Sequence, residues 1–359
     1  MKRTVTIVSI AVLLTGCFKG RPIIEPSSSI VFAPNAVETK ALLLPESGNQ
    51  ENNWFPTSES FNTYAFADLG NGVKYNSPLM EDINISCQGN EWKATSGTFL
   101  WPTSGTVDFY AYYPEAITSG FSCDGEHPAL KFYDVNVGNI VGSQIDPLVG
   151  VTLSQIASTK PVVNLVFKHA TSQIAATVFD ATTNPSLKGK ISIRKVVFRN
   201  MATRGNYTDG TVPGKGVWTD VGGKSDIVLF SGNETVSGEE RYLSSTGFMD
   251  VICNNSAFVV IPETLFSGEG AQSIDITYSV SSYTNEGFTY PEISSKTVSV
   301  PLYDSIENNR ILNGKRYVFH IGITLDGPKN EIQFIPSVDG WETEDVPGFT
   351  ISAINAEIL

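Results

Sequence analysis

The amino-acid sequence predicts an all-β protein with sandwich or barrel architecture. Three observations lead to this prediction. Only 17% of the 359 residues are charged and 31 are glycine, while β-branched and aromatic residues are spread evenly along the chain. Apolar and polar residues alternate in many short segments, and glycine-containing turn signals separate these segments. We therefore expect antiparallel strands joined by hairpins, with little helix.

The alternating pattern is clearest from Tyr317 to Leu325, where every second residue is apolar. Because successive side chains of a strand point to opposite faces, this pattern predicts a half-buried antiparallel strand. The same interpretation fits Ile274 to Val280, Val298 to Leu302 and Val107 to Tyr113. Turn signals lie between such segments at Gly70-Asn71-Gly72, Asp124-Gly125, Asp209-Gly210, Gly222-Gly223 and Asn313-Gly314.

The length of the chain predicts two domains, because one hydrophobic core rarely organises more than about 300 residues. Asp146-Pro147 opens a segment in which residues 158–161 precede a new apolar run. We place the division near residue 158, which gives an N-terminal domain at 30–157 and a C-terminal domain at 158–359.

The N-terminus has the pattern of a lipoprotein signal peptide. Lys2 and Arg3 precede an uncharged apolar run over residues 5–14, and small residues then lead directly to Cys17. The run is too short for a transmembrane helix, which needs about 20 apolar residues. An ordinary secretory signal does not require the cysteine. We therefore expect residues 1–16 to be removed, lipid to be attached to Cys17, and residues 17–29 to form a tether.

Charge and cysteine usage exclude several classes of function. A net charge of −13 argues against a nucleic-acid partner, since phosphate binding needs clustered lysine and arginine. Cys87, Cys123 and Cys253 lie in no zinc-like spacing, so no metal site is expected. A disulfide between Cys87 and Cys123 is left open, with Cys253 as a buried apolar residue.

Catalytic motifs are also missing from the sequence. His127, His169 and His320 have no serine, cysteine or aspartate beside them in a recognisable nucleophile motif. No nucleophile elbow, zinc-protease helix, phosphate loop or dinucleotide fingerprint occurs. A carboxylate pair assembled only by folding stays open. The sequence predicts a protein that is not an enzyme and needs no cofactor.

Several strings of residues together resemble the fimbrillin family, the pilin subunits of type V pili of Bacteroidota, and in particular its minor-fimbrillin-like branch. Their order extends over nearly the whole chain behind the signal peptide. The strings are Val107-Asp108-Phe109-Tyr110-Ala111-Tyr112-Tyr113-Pro114, Asp146-Pro147-Leu148-Val149, Val163-Asn164-Leu165-Val166-Phe167-Lys168-His169-Ala170, and the block from Gly314 through Ile332 to Trp341.

The resemblance implies two β-sandwich domains of transthyretin-like type and a structural or adhesive role in a cell-surface pilus. Family precursors are lipid-anchored in the outer membrane and exposed at the surface. A protease there removes an N-terminal strand, and a strand from another subunit fills the groove that is left. Partners would be other pilin subunits, the outer membrane through Cys17, and ligands on host or bacterial surfaces.

Two segments of the sequence match this assembly scheme. Residues 29–33 form a short alternating strand, and Lys40 stands where relatives commonly carry the arginine of a Thr-Arg-Ala cleavage site. Lys40 is the candidate cleavage residue, whereas an uncut chain would act as the membrane-bound anchor or as a surface adhesin. Residues 348–359 are the candidate donor strand, with apolar positions Phe349, Ile351, Ile354 and Ile358.

An alternative function is a surface lipoprotein that binds glycans and never polymerises. In this hypothesis exposed tryptophans stack on sugar rings. The candidates are Trp54, Trp92, Trp101 and Trp218. The sequence does not separate stalk, tip and anchor roles within a pilus.

Overall fold

The computed structural model describes residues 29–36, 55–70, 74–124, 127–182, 184, 186, 191–236, 257–281, 283–285, 288–290, 293–324 and 332–340. Within these ranges the chain forms 21 strands and two short 3-10 turns, with no α-helix. The all-β prediction is confirmed. No helix in this part of the chain has the length and apolar character needed to cross a bilayer.

The N-terminal half forms a closed seven-stranded barrel. Its neighbouring strands are antiparallel, except that the first strand runs parallel to the last. The inward side chains form one apolar core. Around the barrel the strands are β1 (Phe32–Ala36), β4 (Glu91–Ala94), β3 (Pro78–Gln88), β2 (Ser60–Asp68), β5 (Thr106–Tyr113), β8 (Leu148–Ile156) and β9 (Val163–His169).

A four-stranded sheet, which we call the clasp sheet, covers one side of the barrel. Each half of the chain contributes one hairpin to it, and Tyr207 pairs with Phe132 where the hairpins meet. The strands are β13 (Val217–Gly222), β12 (Arg204–Asp209), β7 (His127–Asn136) and β6 (Ser119–Asp124), in that order.

The clasp sheet buries the outer face of β5. Val107, Phe109 and Ala111 point into the barrel as the alternation predicts, but Tyr110 and Tyr112 are also buried, because they pack in the core beneath the clasp sheet. The prediction that this segment is only half-buried is therefore wrong.

The C-terminal half forms a sandwich of two four-stranded sheets around the second large core. One sheet contains β15 (Ala257–Val260), β10 (Ser172–Asp180), β20 (Lys315–Ile323) and β21 (Ile332–Gly340). The other contains β14 (Ser225–Val236), β11 (Ile191–Met201), β16 (Ser273–Val280) and β19 (Ile293–Pro301). A small hairpin joins β17 (Tyr283–Asn285) to β18 (Phe288–Tyr290). The strands predicted from alternation correspond to β16, β19 and β20. Half-burial is wrong for β20, because Val318 on its other face is also buried, against Ala175 and Ala257.

The change from barrel to sandwich follows β9. This strand lies beyond the proposed division at residue 158, yet it pairs with both β1 and β8 in the barrel. A division after His169 fits this pairing better, although the clasp sheet joins the two halves. The domain limits and the transthyretin-like topology stay predictions.

Candidate functional site

The strand β1 fills a gap in the barrel wall between β4 and β9. It runs parallel to β9 over five residue pairs, from Phe32 opposite Val163 to Ala36 opposite Phe167. It meets β4 in a single pair, Phe32 opposite Trp92. The barrel is thus closed by a short strand that uses only a small part of one neighbour's edge.

Backbone hydrogen bonds hold the segment that leads into β1. The amide of Ile30 donates to the carbonyl of Phe99 at 2.8 Å, and the amide of Val163 donates to the carbonyl of Val31 at 2.9 Å. Both neighbours of this segment would therefore have unpaired backbone groups if it left. Open strand edges of this kind readily pair with another extended chain.

Phe32 anchors β1 in the core. Its side chain is 3% exposed, and its ring meets Phe61 at 5.8 Å and Phe109 at 5.6 Å between centroids, edge to face in both cases. Ile30, two residues earlier, is 4% exposed in the same core. These alternate inward side chains are what a strand needs to fill an apolar groove.

Further aromatic rings extend the core beyond Phe32. Phe55 lies 5.1 Å from Phe167 and 5.6 Å from Trp92, and Phe61 lies 5.2 Å from Phe167, measured between ring centroids. Removing β1 would expose this apolar surface together with two strand edges. Such a surface binds an extended segment with alternate apolar side chains, or it aggregates.

Tyr113 is an ionisable residue packed against this core. Tyr113 packs on Phe55 and donates to the carboxylate of Glu59 at 3.1 Å. Burial, reinforced by the nearby Glu59 charge, raises the pKa of the Tyr113 hydroxyl well above its usual range. The tyrosine stays neutral at physiological pH, and its ring adds packing surface beside Phe55.

The site residues predicted from sequence lie outside the described residues. This holds for Cys17, for Lys40, which follows the last residue of β1 by four positions, and for the candidate donor strand at 348–359. The donor positions concerned are Phe349, Ile351, Ile354 and Ile358. Their roles therefore stay predictions.

The three histidines lie in three different sheets. His127 begins β7 and is exposed, whereas the Nδ1 atom of His320 lies 2.7 Å from the hydroxyl of Thr177. His169 ends β9 and is 2% exposed. The structure does not bring the three together.

The surroundings of His169 resemble a catalytic triad only in composition. Its Nδ1 lies 2.7 Å from one carboxylate oxygen of Asp146, and the Thr171 hydroxyl donates to the other oxygen at 2.6 Å. In a nucleophile triad the hydroxyl would instead contact the imidazole. All three side chains are at most 5% exposed, so a substrate has no access to them.

The proposed glycan-stacking tryptophans are not exposed. Trp92 and Trp101 lie in the barrel core, and Trp218 packs beneath the clasp sheet, where its indole N–H donates to the carbonyl of Ala170 at 2.6 Å. All three are less than 10% exposed because their rings fill cores, so the assumption of exposure is wrong for them. Trp54 lies outside the described residues.

Cysteine and metal chemistry add no site to the described part of the chain. Cys87 lies on β3 and Cys123 on β6, in different sheets, and no disulfide joins them. Within the described ranges, no cluster of three or more histidine, cysteine or acidic residues is positioned to bind a metal. Cys253 lies outside these ranges.

The sequence interpretation missed the residues that line the groove. Phe61, Phe109, Phe167 and Trp92 come from four different strands. The alternation around Phe109 and Phe167 indicates that both point inward, but no local pattern shows that both rings belong to the same core as Phe32.

The sequence matches the family model described as fimbrillin-like over residues 49–341. No curated protein sequence matches the chain. Among solved structures, a fimbrial protein from Bacteroides vulgatus is 13% identical, with a TM-score of 0.57, covering 87% of this chain and 99% of that one.

Two other solved structures show weaker similarity. A protein described as a cell adhesion protein from Bacteroides uniformis is 17% identical, with a TM-score of 0.48, covering 88% of this chain and 100% of that one. The tip fimbrial protein from Porphyromonas gingivalis, truncated at its C-terminus, is 10% identical. Its TM-score is 0.36, and the match covers 79% of this chain and 94% of that one. At 13% identity the Bacteroides vulgatus structure supports only the fold, whereas the family model matches well over half of the sequence. This chain belongs to the fimbrillin-like family.

Proposed function

We propose that this protein is a structural or adhesive subunit of a cell-surface pilus, and that its barrel groove is where another subunit joins it. The observation that carries the proposal is the position of β1. This strand lies near the start of the chain, just before Lys40, and fills an apolar groove that is otherwise bounded by two strand edges.

Covalent attachment keeps β1 in place. While β1 belongs to the same chain as the barrel, its effective concentration is far above that of any segment from another molecule. Cleavage after Lys40 removes this advantage, because the freed strand can dissociate and be diluted. The emptied groove then accepts an extended apolar segment through main-chain hydrogen bonds and side-chain packing.

The C-terminal segment 348–359 is the proposed donor. Phe349 and Ile351 have the two-residue spacing of Ile30 and Phe32, which belong to the barrel core and which they would replace. Because the donor lies at one end of the chain and the groove belongs to the N-terminal half, the contact is head-to-tail and builds an open filament. Lipid on Cys17 would hold the precursor at the outer membrane until cleavage.

Replacing Lys40 by glutamine tests the cleavage step. The Lys40→Gln variant should stay monomeric, since β1 remains attached and blocks the groove. Arg21 is the only arginine between Cys17 and β1, and a cut there leaves β1 joined to the barrel, so Arg21→Gln is the matched control and should assemble normally. Assembly is measured as ladders on gels run without boiling. Assembly of Lys40→Gln at the normal level would contradict the proposal.

Deleting residues 348–359 tests the donor. The truncated protein should be cleaved normally and accept a partner's strand, but it should donate none. It should therefore stop the growth of polymers when it is mixed with the intact protein. Assembled pili whose subunits still begin at lipidated Cys17 would instead favour an uncut anchor subunit.

A further inference from the structure

A second concave site lies between the clasp sheet and the sandwich. This cleft has a volume of about 220 Å³ and opens to solvent. It is distinct from the β1 groove, and no step of the proposed assembly uses it. Its lining includes Trp218, Pro262, Thr264, Arg310, Leu312 and Asn313.

Hydrogen bonds from backbone amides hold the two segments that form one wall of this cleft. The amide of Leu265 donates to the carbonyl of Asn309 at 2.7 Å, and the amide of Ile311 donates to the carbonyl of Glu263 at 2.9 Å. The Leu312 amide donates to the Tyr317 hydroxyl at 3.0 Å. The site is therefore preformed, which lowers the entropic cost of binding a ligand.

Arg310 is the cation of the cleft lining. Arg310 is exposed, and its guanidinium makes no ion pair or hydrogen bond with the described residues. Glu263, the acidic residue of the lining, is already engaged by Lys224, Gln272 and the amide of Ala202 at 2.7 Å. An available guanidinium is notable in a chain whose net charge is −13.

The groups around Arg310 define what can bind. Guanidinium binds carboxylates with two parallel hydrogen bonds. The exposed Thr264 hydroxyl can donate or accept, and Asn313, whose Nδ2 donates to the carbonyl of Gly216 at 2.8 Å, keeps its side-chain oxygen as an acceptor. Leu312, 45% exposed, adds an apolar surface.

These features favour a compact ligand over an extended peptide. The amides of Ile311 and Leu312 donate within the protein, and the Leu312 carbonyl accepts from the Ser172 hydroxyl at 2.6 Å. A peptide would find few main-chain partners, whereas a ring with several hydroxyls uses the side-chain donors and acceptors. We propose that this cleft binds one carboxylated sugar residue, a uronic acid for example, of a surface glycan.

Binding is tested on the full-length protein by ligand-observed NMR and titration. The probes are glucuronate and galacturonate, with glucose, galactose and a short acidic peptide for comparison. Arg310→Gln should weaken uronate binding roughly 10- to 100-fold, the loss expected for a charged hydrogen-bonded pair. Lys195→Gln, an exposed cation on β11 outside the cleft lining, is the matched control and should change nothing.

Thr264→Val supplies a second test should Arg310→Gln fold poorly, because the hydroxyl of the exposed Thr264 makes no hydrogen bond with the described residues. It should weaken binding several-fold without changing the thermal midpoint. The proposal is overturned if neither uronate binds, if glucose binds equally well, or if Lys195→Gln weakens binding as much as Arg310→Gln. Binding of the acidic peptide in place of the sugars would also overturn it.

Discussion

Replacing Phe32 by alanine should destabilise the barrel by about 3–5 kcal/mol, the usual cost of removing a fully buried aromatic ring. The side chain is 3% exposed and makes edge contacts with Phe61 and Phe109. Aromatic edge pairs contribute about 0.5–1.5 kcal/mol each beyond simple burial, so two such pairs place the loss toward the upper end.

The change is measured by guanidinium chloride unfolding, followed by the fluorescence of the core tryptophans Trp92 and Trp101. Asn35→Ala on the same strand is the control. Its half-exposed side chain donates to Asn164 at 2.8 Å, and the variant should lose at most about 1 kcal/mol. If Phe32→Ala costs less than about 1 kcal/mol, or no more than Asn35→Ala, then β1 does not hold the barrel closed as described.

Three further predictions concern other parts of the chain. Burial raises the pKa of Asp209 to about 7, so its folded form binds a proton more tightly than the unfolded form does. Its contribution to stability is therefore present below about pH 4 and lost as the pH rises through 7, with a slope of up to about 1.4 kcal/mol per pH unit. Asp209→Asn should remove that slope from the free energy of unfolding measured against pH. Equal pH profiles of stability for both proteins would refute a raised pKa for Asp209. Cys17→Ala should leave the protein unlipidated and soluble in cell fractions, whereas a variant that still sediments with membranes would contradict lipid anchoring. No hydrolase activity should depend on His127, His169 or His320. An activity that is lost in a histidine variant that still folds would show that the protein is an enzyme.

Local sequence patterns predicted the strands of this protein well. The alternation of Tyr317, Phe319, Ile321 and Ile323 corresponds to the side chains of β20 that enter the sandwich core, because successive residues of a strand point to opposite faces. Asp124 at the end of β6 pairs with His127 at the start of β7, as the predicted Asp124-Gly125 turn requires. Such features depend on residues close together in the chain.

Long-range pairing could not be predicted from the same patterns. Tyr110 is buried because the β6–β7 hairpin pairs with the β12–β13 hairpin, and Tyr207 opposite Phe132 joins segments far apart in the chain. The groove around β1 depends on long-range pairing in the same way. Residues 29–33 read as a strand, but its parallel pairing with β9 brings Phe32 opposite Val163, which no local rule indicates.

The central claim is that a strand of another subunit replaces β1 in the assembled pilus. Site-specific photo-crosslinking tests it directly, with the cross-linking residue placed at Trp92, the position on β4 that faces Phe32. In the unassembled precursor, mass spectrometry should find the cross-link to residues 30–32 of the same chain. In assembled pili, the account predicts a cross-link to residues 348–359 of a different chain. Cross-links that stay on residues 30–32 in assembled pili would contradict it.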